Sequence, residues 1–153
     1  EFRLVVLGDG PDLPALRRQA EAMGLAEVAL FPGAVPHEEV APFCAAADLF
    51  VTASTTEVNP TSVIEAMATG TPVVAYDTFG AREIVRSGTD GILTEHTPEA
   101  LASAICQLVA SREALSRLSE AATRGAERFS LETTGSQMVA VYEQAIKRMQ
   151  RAR

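Results

Sequence analysis

An α/β fold, with a doubly wound, Rossmann-like parallel sheet, is what this sequence predicts, and the order of its apolar segments is the first reason. Short apolar runs alternate with helical patterns from one end to the other. The runs also lack the in–out alternation of a half-solvated strand, as expected where helices cover both faces of a sheet. Caps, prolines and glycines mark where each helix starts and stops. In open sheets of this kind ligands gather at the carboxyl ends of the strands.

The strands read as Leu4-Val5-Val6-Leu7, Val28-Ala29-Leu30-Phe31, Leu49-Phe50-Val51-Thr52, Pro72 to Tyr76 and Gly91-Ile92-Leu93. After the first, Gly8-Asp9-Gly10-Pro11 makes a tight turn, and Asp9 is the expected cap of the helix that follows. That helix spans Asp12 to Met23, repeats Leu13, Leu16, Ala20 and Met23, and stops at Gly24 as its C-cap. A second runs from Glu38 to Ala47, a third from Thr61 to Thr69 with Gly70 as its stop, and a short one covers Ala81 to Arg86. Thr97-Pro98-Glu99 supplies a cap, a proline at the first helical position and an acid at the second. Ser111 caps a helix over Arg112 to Phe129. Ser130 opens the last helix, whose apolar stripe is Met138, Val141, Tyr142, Ala145, Ile146 and Met149.

At 153 residues and 47% hydrophobic content the chain fits one domain with an ample core. Its formal charge of -7 disfavours nucleic acid, which needs a basic face. An anionic ligand would have to be held by local dipoles and single cations. Cys44 and Cys106 lie in apolar helical patterns and read as buried, reduced thiols, in keeping with a reducing compartment. No apolar run is long enough to span a membrane. His37 and His96 read as isolated and exposed, no cluster has metal-ligand spacing, and no Ser-His-Asp arrangement is legible.

The chemistry concentrates between Glu57 and Glu65, in Glu-Val-Asn-Pro-Thr-Ser-Val-Ile-Glu. Pro60 stands just before or at the first helical position, where its missing N–H costs nothing. Thr61, Ser62 and Val63 bring unpaired amides, two of them with hydroxyls beside them, to a helix end that attracts phosphate. Glu65 follows Thr61 by one helical turn on the same face. A carboxylate there can accept hydrogen bonds from a vicinal diol such as a ribose, and this needs only an ionised acid of ordinary pKa. Glu57, in the loop above, can take the hydroxyls of a second group. Phosphate donors between two hydroxyl acceptors describe a pocket for a nucleotide-sugar.

The spacing of Glu57 and Glu65, with Glu65-Ala-Met-Ala-Thr-Gly-Thr-Pro-Val-Val-Ala75 after it, resembles the retaining GT-B glycosyltransferases of family 4. The resemblance runs in order through Leu4 to Pro11, Val28 to Pro36, Pro42 to Asp48, Gly80-Ala-Arg-Glu-Ile-Val85 and Gly88-Thr-Asp-Gly-Ile-Leu93. It implies that the whole chain, residues 1–153, is part of the carboxyl-terminal, donor-binding domain of a two-domain enzyme. The amino-terminal acceptor domain would be absent. So would the donor domain's first strand and helix, a segment that in relatives commonly supplies an Arg and a Lys for the diphosphate. Without that strand the Leu4 and Leu49 strands are expected either to leave a gap or to pair directly. The implied activity is transfer of a sugar from a nucleoside diphosphate donor, of uridine or guanosine type, to an acceptor with retained configuration. No metal or other cofactor is implied, the acceptor is a glycan, lipid or small molecule, and this piece alone should be inactive. The cytoplasm is the expected location, with peripheral membrane contact open to the full-length enzyme.

By the same resemblance Glu57 occupies the catalytic position and touches donor-sugar hydroxyls, and Glu65 binds the ribose. Asn59, Pro60, Thr61, Ser62 and Val63 line the donor. Many relatives have a glycine-rich Gly-Phe-Gly-Leu-Pro here; Val58-Asn59-Pro60 departs from it and loses glycine's close approach at Val58. Gly33-Ala34-Val35-Pro36 resembles the loop whose backbone reads the nucleobase. Arg82 offers a cation for the phosphates or the acceptor cleft, or else a surface ion pair. Lys147, Arg148, Arg151 and Arg153 make the last helix end cationic, which suits the helix dipole or an anionic membrane surface. Two rivals remain: a nucleotide-sugar epimerase of the same build, and a non-catalytic receiver-like module, for which only Asp9 and Asp48 offer acids at strand ends.

Overall fold

The computed structural model describes residues 2–151; Arg153 lies outside them. The chain divides into two compact units, Glu1–Pro42 and Phe43–Arg153, and the division falls within a helix. In the first unit β1 (Leu4–Leu7) pairs in parallel with β2 (Ala29–Gly33), with Leu4 opposite Ala29 and Val5 opposite Leu30. Between them runs α1 (Leu13–Ala22), and α2 (His37–Ala46) follows. The capping residue of α1 is Asp12, not Asp9, and its side chain makes no capping hydrogen bond. The physical reason is the turn: Gly8 takes φ 131°, and the Leu13 amide donates to Gly10 O, which delays the helix past Asp9. At the other end Met23 is the C-cap, and Gly24 sits one place beyond it with φ 72°, the position that favours glycine. Arg17 ties α1 to β2, donating to Phe31 O at 2.8 Å with its guanidinium over the Phe31 ring.

In the second unit β3 (Phe50–Thr52), β4 (Val73–Tyr76) and β5 (Ile92–Thr94) form a parallel sheet in that order. Phe50, Val51 and Thr52 face Val73, Val74 and Ala75, and β5 continues the register from Val74 and Ile92 onward. The helices are α3 (Thr61–Ala68), α4 (Phe79–Ile84), α5 (Pro98–Val109), α6 (Arg112–Ala126) and α7 (Leu131–Arg151), with a 3₁₀ turn at Glu127–Phe129. Thr97 and Ser111 cap as expected, accepting from Ala100 N and Ala114 N at 3.2 Å each. The core gathers Val74, Leu108 and Leu118, with Leu101, Ile105 and Ile92 against them.

The expectation that strands are covered on both faces holds for β4 alone, every residue of which is buried. Leu4, Val5, Leu30 and Val51 are exposed. Among the described residues each of their strands has one strand neighbour, and β1 and β3 belong to separate sheets, so the direct pairing is not made. Cys44 is buried, whereas Cys106 is exposed, against expectation. Cys106 is two residues from Ala104, on the side of α5 away from the packed Leu101, Ala104, Ile105 and Leu108. The periodicity of α7 is as read, but its stripe is not covered among the described residues: Met138, Val141, Tyr142, Ile146 and Met149 are all exposed. No helix of the described residues is long and apolar enough to cross a membrane.

Asp90 is the buried polar anchor of this unit. Its side chain has no exposure, accepts from Arg86 N at 2.6 Å and Arg86 Nε at 2.7 Å, and lies 3.9 Å from Arg128 Nη1. Arg128 also donates to Ile84 O. The side chain presses on Gly125 of α6, where a Cβ would lie 2.7 Å from Asp90 Oδ2 and 3.1 Å from Met67 Cε. The ends of α4 and α6 and the Met67 side of α3 thus meet around one carboxylate.

Candidate functional site at the carboxyl ends of the second sheet

Helix α3 starts where the sequence places it. Pro60 is the N-cap, buried, with φ -71° and ψ 92°, and no side chain caps the helix. Thr61 and Ser62 are exposed, and their amides precede the first intrahelical backbone bond. The Val63 amide is used locally, donating to Pro60 O at 3.0 Å, and the Val63 side chain is fully buried with Ala66 and Met67. Val63 therefore anchors the helix start in the core. The far end closes on Gly70 at φ 79°: Gly70 N donates to Met67 O and Thr71 N to Ala66 O, satisfying carbonyls that would otherwise be orphaned. Buried Thr71 donates from Oγ1 to Cys44 O at 2.6 Å and meets Thr69 Oγ1 at 3.0 Å, which fixes α3 against the end of α2.

Glu65 is half-buried on α3, one turn beyond Thr61. Its negative charge reaches Cys44, whose thiol is pushed up first by burial and then by Glu65. Glu57, Val58 and Asn59 are exposed in the loop after β3. That loop is held by its backbone. A Cβ on Gly80, at the start of α4, would fall inside the contact distance of Glu57 O and lie 2.7 Å from Val58 O. Only a residue without a side chain fits there.

Helix α4 begins two residues earlier than expected. Thr78 is its N-cap, accepting from Ala81 N at 3.2 Å. Arg82 is held in a two-pronged ion pair: Nε donates to Asp77 Oδ1 at 2.5 Å and Nη2 to Asp77 Oδ2 at 2.8 Å. The hydrogen bond from Arg82 holds the Asp77 carboxyl below its usual range, and Asp77 in turn raises Arg82. Of the readings open for Arg82, a cation for the phosphates or the acceptor cleft or a surface ion pair, the structure contains the ion pair. His96 is exposed but not isolated. Its Nε2 lies 3.0 Å from Asp77 O, and its ring stacks on Tyr76 with centroids 5.4 Å apart. The sequence signal for this cluster was an acid directly after a strand and an arginine one helical turn past the Thr78 cap, a pattern too common to stand out.

The Gly33–Pro36 loop lies in the other unit, at the end of β2, with Gly33 at φ 86° and its carbonyl accepting from Gly8 N at 2.9 Å.

The chain is similar to known proteins over most of its length. The family model for glycosyl transferases group 1 matches residues 1–125. A D-inositol 3-phosphate glycosyltransferase of Thermobispora bispora is 34% identical over 146 residues, covering 94% of this chain and 34% of that protein. Sucrose-phosphate synthase from Thermosynechococcus elongatus superposes with a TM-score of 0.84 at 27% identity, over 95% of this chain and 39% of that one. The Anabaena Alr3699/HepE structure in complex with UDP-glucose does so with a TM-score of 0.81 at 25% identity, over 93% and 41%. The chain thus spans about a third of the length of the curated relative, and its parallel α/β fold is that of GT-B glycosyltransferase structures. It belongs to the glycosyl transferases group 1 family.

Proposed function

We propose that this chain is the donor-binding part of a longer enzyme that transfers a sugar from a nucleoside diphosphate donor to an acceptor with retained configuration, as in family 4. The observation that carries the reading is the open start of α3. Exposed Thr61 and Ser62, at a helix start that no side chain caps, stand one turn from half-buried Glu65 and beside the loop of exposed Glu57. Helix amides and dipole hold the diphosphate and stabilise the charge that grows on it as the glycosidic bond breaks. Glu65 accepts from the ribose hydroxyls and Glu57 from the donor sugar, orienting the anomeric carbon; Asn59 and Pro60 shape the loop between them. No resident metal enters this scheme, and the acceptor half lies in the remainder of the enzyme. A uridine donor is supported by the Alr3699/HepE structure, which carries UDP-glucose. A name of a transferase on the Thermobispora relative favours transfer over epimerisation. A cytoplasmic reaction fits a nucleotide-sugar donor.

Calorimetric titration of the full-length enzyme with UDP and with UDP-glucose tests this. Glu65→Gln should weaken both ligands about 10-fold or more, because a charge-assisted acceptor of roughly 1.5–3 kcal/mol is lost. Glu57→Gln should weaken UDP-glucose alone. Unchanged affinities in both variants refute the assignment.

A further inference from the structure

The Asp90 carboxylate is wholly buried. A well-packed apolar side chain commonly stabilises such a place as well as an ion pair does, so stability alone gives little reason for a charge there. What a carboxylate adds is direction. Its Oδ1 accepts from Arg86 N at 2.6 Å and its Oδ2 from Arg86 Nε at 2.7 Å. Arg86 directly follows Val85, the C-cap of α4, and Ile84 and Val85 are buried. Arg128, in the turn after α6, donates to Ile84 O as well. The end of α4 is thereby fixed, and α4 is only six residues long. Its start carries Gly80, which abuts the Glu57 and Val58 carbonyls too closely for any Cβ. One short element thus runs from Asp90 to the loop of Glu57.

The other oxygen contact leads to α3. A Cβ on Gly125 of α6 would lie 2.7 Å from Asp90 Oδ2 and 3.1 Å from Met67 Cε. Met67 is fully buried and stands two residues beyond Glu65. The close approach recurs about one turn on, where a Cβ on Gly70 would lie 3.1 Å from Thr123 Oγ1 and 3.4 Å from Ser119 Oγ of α6. Helix α3 is therefore seated on α6 at two points, and α6 is stopped against the carboxylate. Close-packed interiors pass on such displacements instead of absorbing them.

We propose that Asp90 is a positioning residue for donor binding, joining the helix that carries Glu65 to the helix that braces Glu57 and so setting the separation of the two acids. This rests on the donor assignment made for Glu57 and Glu65. UDP-glucose spans both acids and UDP reaches only Glu65, so the ratio of their affinities reports the separation. The test is calorimetric titration of the full-length enzyme with both ligands, well below every melting temperature. Asp90→Asn and Gly125→Ala should lower the preference for UDP-glucose over UDP about fivefold or more, with UDP affinity itself within about threefold of wild type. Leu101→Ala, on α5 in the same unit, should lower the melting temperature and leave the preference unchanged. Should neither positioning variant fold, Met67→Leu, a volume-conserving change at the same contact, must lower the preference at least about twofold. A preference unchanged in these variants, one lowered equally by Leu101→Ala, or UDP affinity lost along with that of UDP-glucose would each overturn the proposal. The donor assignment fails separately, when Glu57→Gln and Glu65→Gln leave both affinities unchanged; the positioning role fails alone when those two act and Asp90→Asn and Gly125→Ala do not.

Discussion

Gly80→Ala is a one-methyl change that reaches the candidate site through backbone alone. The added Cβ would sit inside contact with Glu57 O and 2.7 Å from Val58 O. Ordinary contact begins near 3.4 Å, so the loop and the start of α4 must part by about 0.7 Å at the least. Both obstructing atoms are main-chain carbonyl oxygens, which cannot rotate away as a side chain does. Overpacking of this kind costs roughly 1–3 kcal/mol. Alanine's better helix propensity returns about 1 kcal/mol at most, so the net effect is destabilisation by about 1–2 kcal/mol. For a chain of this size that lowers the melting temperature by about 2–8 °C. The functional effect should be larger in proportion. Misplacing a positioning group by about 1 Å can cost on the order of 100-fold, so a shift near 0.7 Å in the Glu57 loop should weaken the sugar-dependent part of donor affinity about 10-fold or more. Differential scanning calorimetry of the chain and titration of the full-length enzyme with UDP and UDP-glucose give the two numbers. UDP affinity should change little, because α3 is anchored separately by Val63, Ala66 and Met67. A Gly80→Ala variant with wild-type melting and wild-type preference for UDP-glucose over UDP would refute the claim that Gly80 sets the Glu57 loop.

Other perturbations follow from the same contacts. Asp90→Ala strips the Arg86 amide and guanidinium of their acceptor and should cost about 2–4 kcal/mol in chemical denaturation; a loss below about 1 kcal/mol would remove Asp90 as the anchor of α4 and α6. Asp77→Asn should lower the melting temperature slightly at pH 7. The folded Asp77 pKa is depressed, so its contribution is present above the unfolded value of about 3.9 and is lost as pH falls through the folded one. The gap between wild type and variant should accordingly be flat above about pH 5 and close below about pH 4; a gap that grows in acid contradicts the pairing. Iodoacetamide at neutral pH should label exposed Cys106 well ahead of Cys44, whose thiol is buried and pushed up; equal labelling by peptide mass would show that α2 and α3 are not packed as described.

Much of this architecture is legible because its signals are local. A Thr or Ser followed by an acid two residues on, a proline at a helix start, or a glycine after a periodic run each act within a single turn. The caps at Thr97 and Ser111, the Pro60 start and the Gly70 stop all fall where the chain implies. Asp9 failed as a cap because the competing signal was also local: Gly8 and the Gly10-to-Leu13 turn consume the residues after it before the helix can begin. Burial was less legible. An unbroken apolar run says that a strand can be covered, not that it is, and β1 and β3 show the difference with one neighbour each.

The site divides along the same line. Glu57, Thr61, Ser62 and Glu65 lie within one loop and one helix, so their spacing alone announces a helix end flanked by two acids. The cluster around Asp77 is assembled across loops: Arg82 from the next helix, His96 from beyond β5, and the Glu57 and Val58 carbonyls from beyond β3. No periodicity links these positions, and an aspartate after a strand is ordinary. What joins them is the parallel register of β3, β4 and β5, which brings the carboxyl ends of all three strands to one edge. The sequence order of the strands is also their spatial order here, so the loops that leave successive strands are neighbours. The helix start between Glu57 and Glu65 therefore sits in one contiguous stretch, readable as a motif. The ion pair of Asp77 and Arg82, by contrast, is assembled from the end of β4 and the next helix, and no run of neighbouring residues announces it.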